Sequence, residues 1–395
     1  MQRHLSCATA HIKEAQFVKY QTAAEKHMTA LNEKLLQEAL IIESRITNIG
    51  SEPHVNKVWK TVGPLHVNIG ADIECYTFNR KHKEKLKENN DEEEKYLLTM
   101  VYEKCKQDLC IPPIIDSNAL ELNPNPGDVR NITETYFKSS RDAKQVLDKL
   151  GWDFAMGAGH WHISIEDTGK SYLHKNLMNE ITTDNDIKRS RFSKLLAANI
   201  LTLQCLCPAL YLRPSRADKN IDETEFTSNI WAGDSPTSTI RTRGGTYENG
   251  SLKFEIRMAH LAPYVPVLMS MHAIEQTLKN QTINIADYNE SAVTLEPGPY
   301  STFTKGKGSY FNYIETTEKS GYLKKHFPDL HQDLITASIL SYATFLADPT
   351  WSITYNNAER HQALKKLHAL YPEQFFTRES TTTNKTRLPF LNPSP

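Results

Sequence analysis

Glycine, cysteine and long apolar runs are all sparse in this chain, and so is net charge. Its 395 residues include 16 glycines, none of them in a repeated Gly-rich phosphate-loop pattern, so neither a P-loop nor a dinucleotide fingerprint can be read from it. Six cysteines (Cys7, Cys75, Cys105, Cys110, Cys205, Cys207) show no C-x-x-C spacing, which argues against a disulfide framework or a zinc ribbon. No stretch approaches the roughly 18 uninterrupted apolar residues that a membrane span needs, and MQRHLSCATAHIKEAQ has no apolar core after its basic residues. The expected location is the cytoplasm, without membrane contact. Lys+Arg 46 against Asp+Glu 47 leaves a formal charge of -1, so no global field recruits nucleic acid, and any phosphate binding must be local.

What is present is an ordinary globular composition, 39% hydrophobic and 24% charged, long enough for one large core or two modest ones. Apolar residues at helical spacing (Phe17, Ala24, Met28, Leu31, Leu35, Leu36, Ala39, Leu40) predict one long or two consecutive helices over 8–49. LHVNIGADIECYTF, over 64–78, alternates as a strand should. The charged run 79–95 reads as a solvated loop or hairpin tip, 96–109 as a helix, and Ile111-Pro-Pro as a turn. A short strand around Leu120 ends at NPNPG. Helices follow over 139–150, 187–210, 264–279, 334–346 and 357–371, with strands at 159–166, 237–242 and 251–258. Residues 213–236 read as irregular, and the chain beyond Asn280 is mixed before its last two helices.

This order lacks regular βαβ alternation, so the expected class is α+β, with a mainly antiparallel sheet packed by helices. The expected organisation is a helical N-terminal extension (1–60), a catalytic domain (61–376) and a polar tail (377–395).

Period-two spacing concentrates chemistry on single strand faces. Asp72 and Glu74 share a face opposite Ile69, Ala71, Ile73 and Cys75. Two such carboxylates repel unless they meet water or share a hard cation such as Mg2+. Taken alone, the pair is explained more simply by the solvent-facing side of an edge strand. His160 and His162 share a face with Ser164, while Trp161, Ile163 and Ile165 face the core; a metal-ligand pair and a structural pair both fit. Glu121 sits mid-strand. Arg241 and Arg243 alternate with Ile240 and Thr242, and Glu255 and Arg257 flank Ile256, placing a carboxylate beside a guanidinium suited to polyphosphate oxygens.

In chain order these segments resemble the catalytic domain of glutamine synthetase and its relatives, the glutamate-cysteine and carboxylate-amine ligases. IGADIECYTF is similar to the family's G-x-E-x-E-F strand, GAGHWHISI to G-x-G-x-H-x-H-x-S-L, AGDSPTSTIRTRG to its arginine turn, and LKFEIRMAHLAPY to R-I-E-x-R followed by N-P-Y-L. The resemblance spans about residues 64 to 280.

It implies ATP and Mg2+ or Mn2+ as cofactors, a curved sheet, and small carboxylate and amine substrates, with homo-oligomerisation left open. It implies that Asp72, His160 and Glu255 hold one metal ion and Glu74 and Glu121 a second. His162 and Ser164 would contact the nucleotide, Arg241 with Arg243 the phosphates, and Arg257 the transferring phosphoryl group, so that Arg241, Glu255 and Arg257 carry catalysis. The family phosphorylates a carboxylate with ATP and then joins it to an amine.

Several departures from the pattern stand out. Asp72 replaces a glutamate, and Pro236 occupies the first position of the arginine turn, leaving Arg243 or Arg213 to compensate. Glu121 lacks an obvious acidic companion, Asp128 and Glu134 being the alternatives. No small β-grasp domain precedes the first strand, which puts a ring assembly in doubt. Two other readings stay open: a ligase-like fold serving as a binding or regulatory protein, and a cupin-like metal oxygenase using His160, His162 and Glu166.

Overall fold

The computed structural model describes residues 28–59, 61, 63–81, 84–85, 91–106, 110–116, 119–167, 191–211, 240–242, 252–256, 264–292, 310–347 and 357–371. Among them a seven-stranded sheet runs in the order β3 (Cys110–Asp116), β4 (Ala119–Pro124), β1 (Leu65–Asn79), β5 (Trp152–Asp167), β7 (Leu252–Ile256), β6 (Ile240–Thr242), with the two-residue β2 (Glu84–Lys85) beside β1. Every pairing is antiparallel. Helices supply the rest, so the α+β expectation holds.

Two long strands form the spine. β1 (Leu65–Asn79) and β5 (Trp152–Asp167) pair from Leu65↔Asp167 to Asn79↔Trp152, with one register shift between Glu74 and Cys75. Alternation explains their length. Leu65, Val67, Ile69, Ala71, Ile73 and Cys75 on β1, and Trp161, Ile163 and Ile165 on β5, are all buried on one face. Helix α4 (Val129–Lys149) covers that face, and its buried Tyr136 stacks on Trp161 with ring centroids 5.4 Å apart and planes 19° from parallel. Helix α3 (Asp91–Cys105) lies against α4 and β3 (Cys110–Asp116).

The charged run after β1 is more ordered than its composition suggests. β2 pairs with Phe78 and Asn79, and α3 begins at Asp91, inside the expected loop. The acids Asp91 to Glu94 open the first turn of that helix, where negative charge is favoured. Ile111-Pro-Pro is likewise strand, not turn. β3 is the edge of the sheet, its pairing to β4 (Ala119–Pro124) is irregular between Ile111 and Ile114, and an edge irregularity is where prolines fit a sheet. α4 begins ten residues before the expected helix, because Asp128 caps it: its carboxylate accepts from the Asn131 backbone N–H at 2.8 Å.

The helical half centres on α7 (Tyr264–Leu278), preceded by α5 (Arg191–Leu206) and the short α6 (Pro208–Tyr211). All residues of α7 but Gln276 are buried, the signature of a central helix rather than a surface one. Beyond it come two 3-10 turns (Ile285–Asp287 and Glu290–Ala292), α8 (Tyr310–Lys319), α9 (Tyr322–His326), α10 (His331–Ala347) and α11 (Asn357–Leu370). α8 and α9 lie where the sequence shows only a mixed pattern.

N-terminal to β1, α1 covers residues 28–49 and α2 covers Pro53–Trp59. Leu35, Ile42, Ile46 and Trp59 join the same hydrophobic cluster as the sheet and the C-terminal helices. Trp59 donates from Nε1 to the Leu278 carbonyl at 2.7 Å, and Arg45 on α1 pairs with Glu275 on α7 at 2.7 Å. At the α1–α2 turn, Gly50 is obligatory: a Cβ there would lie 2.4 Å from the Gly63 carbonyl oxygen.

Candidate active site

The face of the sheet opposite α4 carries the chemistry, and the ladder fixes who neighbours whom. Asp72 opposes His160, and Glu74 opposes Glu121 on β4. His162 opposes Gly70 on one side and Glu255 of β7 (Leu252–Ile256) on the other, while Arg241 of β6 (Ile240–Thr242) opposes Glu255. Directly opposed residues of an antiparallel pair share a face. Five strands therefore bring Glu121, Glu74, Asp72, His160, His162, Glu255 and the Arg241 position onto one surface, although the chain separates Asp72 from Glu255 by some 180 residues.

His160 is the hub. Its Nδ1 lies 3.4 Å from Glu255 Oε1 and 4.0 Å from Asp72 Oδ2, and its Nε2 lies 3.5 Å from Glu74 Oε1. These are ion-pair rather than hydrogen-bond separations. The surroundings are dry: Glu255 is fully buried, and the side chains of His160, Asp72 and Glu74 are 9%, 15% and 16% exposed. Asp72 also reaches diagonally to Nε2 of His162 at 2.7 Å. Glu121 is buried on the same face, one strand further out.

Such a donor set, four carboxylates and an imidazole at low solvent access, suits a hard divalent cation, since buried acids need paired charge. In the arrangement seen, however, no group of three or more His, Cys, Asp or Glu side chains among the described residues converges to hold a metal ion. The imidazole of His160 instead stands between the carboxylates.

Arg243, Arg257, Arg213 and Pro236 lie outside the described residues, and Arg241 is placed by its backbone pairing alone. The two alternative companions of Glu121 have other surroundings: Asp128 is the cap of α4, and Glu134 is exposed on that helix. Ser164 is buried on the expected face and donates to Glu166 Oε1 at 3.1 Å. Because His160, His162 and Glu166 occupy one unbroken strand, His160 and Glu166 are about 20 Å apart at about 3.3 Å per residue. They cannot share an ion, and the cupin reading fails on that spacing.

A cleft of about 740 Å³ opens further along the sheet, lined among others by Glu43, His66, Asn68, Asp128, Asn131 and Glu166. It does not coincide with the acid cluster, and its carboxylates are committed to the fold: Glu43 accepts from the Val129 N–H at 3.1 Å, Asp128 caps α4, and Glu166 accepts from Ser164. Burial pushes the Glu43 carboxyl up, against the Val129 hydrogen bond. The cluster around His160, not the cleft, is the better candidate for chemistry. Glu43 and His66 carry no motif that would have marked them in the sequence.

No family model matches the sequence, and no curated protein does. Among solved structures the chain is similar to glutamine synthetase homologues. One described as a novel glutamine synthase homologue shares 11% identity, with 81% of this chain and 73% of that chain covered and a TM-score of 0.48. GmaS without ligand shares 12%, with 84% and 76% covered and a TM-score of 0.49. A GmaS complex with ADP shares 13%, with 84% and 77% covered and a TM-score of 0.45. No described helix is long and apolar enough to cross a membrane.

Proposed function

We propose that the protein is an ATP- and divalent-metal-dependent ligase that joins a small carboxylate to an amine through an acyl-phosphate. One observation carries the reading: the ladder gathers Asp72, Glu74, Glu121, His160 and Glu255 on a single face of low solvent access, with the Arg241 position at its edge. An acid surface of this kind is costly to keep dry without cations. A guanidinium at its rim suits phosphate oxygens.

In this reading Asp72, His160 and Glu255 hold one Mg2+ or Mn2+ ion, and Glu74 and Glu121 hold the other. Bound metal would neutralise the triphosphate and orient the transferring group. The chain's own residues supply the rest. Glu255, fully buried, fixes the position of the His160 ring; Asp72 orients His162 toward the nucleotide; Arg241, Arg243 and Arg257 draw negative charge from the phosphates.

The test is ATP binding and turnover by the purified protein with Mg2+, using γ-labelled ATP and a panel of amino acids and amines. Substrate-dependent release of phosphate with formation of an amide product is expected, and replacing Glu255 by Gln should abolish it. A protein that neither binds ATP with Mg2+ nor responds to Glu255→Gln sinks the proposal.

A further inference from the structure

Away from the sheet, two histidines and two tyrosines interlock where α7, the first 3-10 turn and α9 meet. His272 lies in the middle of α7, is buried, and shares a 2.7 Å hydrogen bond between Nε2 and the Tyr322 hydroxyl. Tyr288, just past the turn, makes the matching bond to Nε2 of His326 at 2.6 Å. The rings close on each other: Tyr322 stacks on His326 with centroids 4.4 Å apart, His272 and His326 lie 5.5 Å apart, and Phe327 packs on His272 at 4.9 Å.

α9 has only five residues, its first residue follows the left-handed Gly321, and its first N–H is held by Ser320 Oγ at 3.3 Å rather than by a side chain of the capping glycine. The first 3-10 turn has three residues, none buried. So small a helix holds its place through side chains rather than through its own ladder.

From this geometry we infer that the His272–Tyr322 and Tyr288–His326 bonds form an acid-sensitive latch, which fastens α9 and the 3-10 turn to α7 only while both imidazoles are neutral. An imidazolium has no acceptor nitrogen, so it keeps each bond only by donating to the tyrosine hydroxyl, and the charge it carries into a buried aromatic cluster is what opposes the closed arrangement. A second cation 5.5 Å away compounds the cost.

Charges from several elements bear on the latch. On α7 itself Glu275 favours a charged His272, and Lys279 just past its end opposes it; from α1, Arg45 opposes it; from α9, His326 opposes it. Lys325 opposes a charge on His326 and also lies over the Tyr288 ring at 4.7 Å. Asp287 and Cys207 border the tyrosines. Burial dominates this set for both histidines, pushing His272 down to about 3 and His326 below its ordinary value. A depressed histidine pKa means that the closed state is fully favoured above the free value of 6.5 and weakens as pH falls from there toward the folded value.

Amide hydrogen exchange tests this. Corrected for the intrinsic rate, protection of residues 322–326 should fall by about 25-fold between pH 7 and pH 5 from His272 alone, with the interior of α10 unchanged. His272→Gln removes that pH dependence, and His326→Gln, at a half-exposed position, reduces it without threatening the core. Because a His272 variant can fail to fold, the wild-type imidazole is also titrated by NMR. An ordinary titration of His272 near 6.5, pH-independent protection of α9, or acid opening that persists in folded variants overturns the latch. The latch is independent of the ligase reading, since it uses none of the sheet residues.

Discussion

Asp72 faces His160 across the ladder but makes its short contact with His162, 2.7 Å away on the diagonal. The residue opposite His162 is Gly70, and with no side chain there the imidazole is free to lean toward Asp72. One carboxylate thus addresses two histidines, the hub of the acid cluster and its neighbour. A structural tie and a metal ligand differ in what they need. A tie needs an acceptor, which Asn also supplies, whereas a cation needs the charge. Under the ligase reading Asp72→Asn is therefore as harmful as Asp72→Ala, each weakening Mg2+-dependent ATP binding at least about tenfold, a change of about 1.4 kcal/mol, while Asp72→Glu retains binding. Calorimetric titration distinguishes the cases, and a near-normal Asp72→Asn leaves Asp72 with a structural role only.

Mg2+ should also report directly on stability. Crowded acids destabilise a fold lacking cations and are relieved when a cation binds the native state. Millimolar Mg2+ is expected to raise the Tm of the wild type by a few degrees. Glu255→Gln should start with an equal or higher Tm and lose that response. A metal response retained in the variant removes Glu255 from the site.

Asp128 separates capping from chemistry. As the cap of the 21-residue α4, it is worth about 1 kcal/mol, so Asp128→Ala lowers stability by that amount while Asp128→Asn, an equally good cap, leaves it unchanged. Under the ligase reading both variants are expected to keep full ATP-dependent activity. Chemical denaturation alongside the activity assay checks this, and activity loss in the Asn variant returns Asp128 to the metal candidates.

The sequence made the acid surface legible and left its surroundings obscure, for a physical reason. Most of β1, the second half of β5 and the short β7 alternate between apolar and polar, because one face is buried and the other holds charge, and such alternation is a local signal. Capping at Asp128 is local, through Asn131 three residues on, and the acids that open α3 sit in its own first turn, whereas the edge strand carrying Pro112 and Pro113 depends on its pairing to β4. α8 and α9 escaped notice because their burial comes from tertiary contacts of tyrosines, which have no helical preference of their own. The guanidinium half of the site, Arg243 and Arg257, lies outside the described residues, so its part in the proposal rests on sequence pattern alone.

Trp161 shows how the hidden face governs the working one. It lies between His160 and His162 and stacks on Tyr136 of α4. Truncating Tyr136 to Ala removes that support and leaves a cavity, costing about 3–5 kcal/mol, whereas a Phe retains most of the stacking. Tryptophan emission should shift to the red in the Ala variant, and ATP affinity should fall because the two histidines lose their common anchor. If emission and affinity are both unchanged, α4 does not position the site.

Glu275 gives the last prediction, and its sign needs care. Burial alone would raise its carboxyl, but hydrogen bonds and charge from Arg45 and Lys279 outweigh burial and hold it below the ordinary value of 4.5. The bonds are real in the geometry: Arg45 donates at 2.7 and 3.1 Å and Lys279 at 2.8 Å. A depressed carboxyl contributes stability that is present above 4.5 and is lost as pH falls through the folded value. Glu275→Gln should cost about 1–3 kcal/mol at pH 7, less than a fully enclosed pair because Arg45 is partly solvated. The difference from wild type should hold constant down to about pH 5 and narrow below it. Paired urea melts across that range decide the matter, and a difference that persists unchanged at pH 3 would mean that Glu275 acts through packing rather than charge.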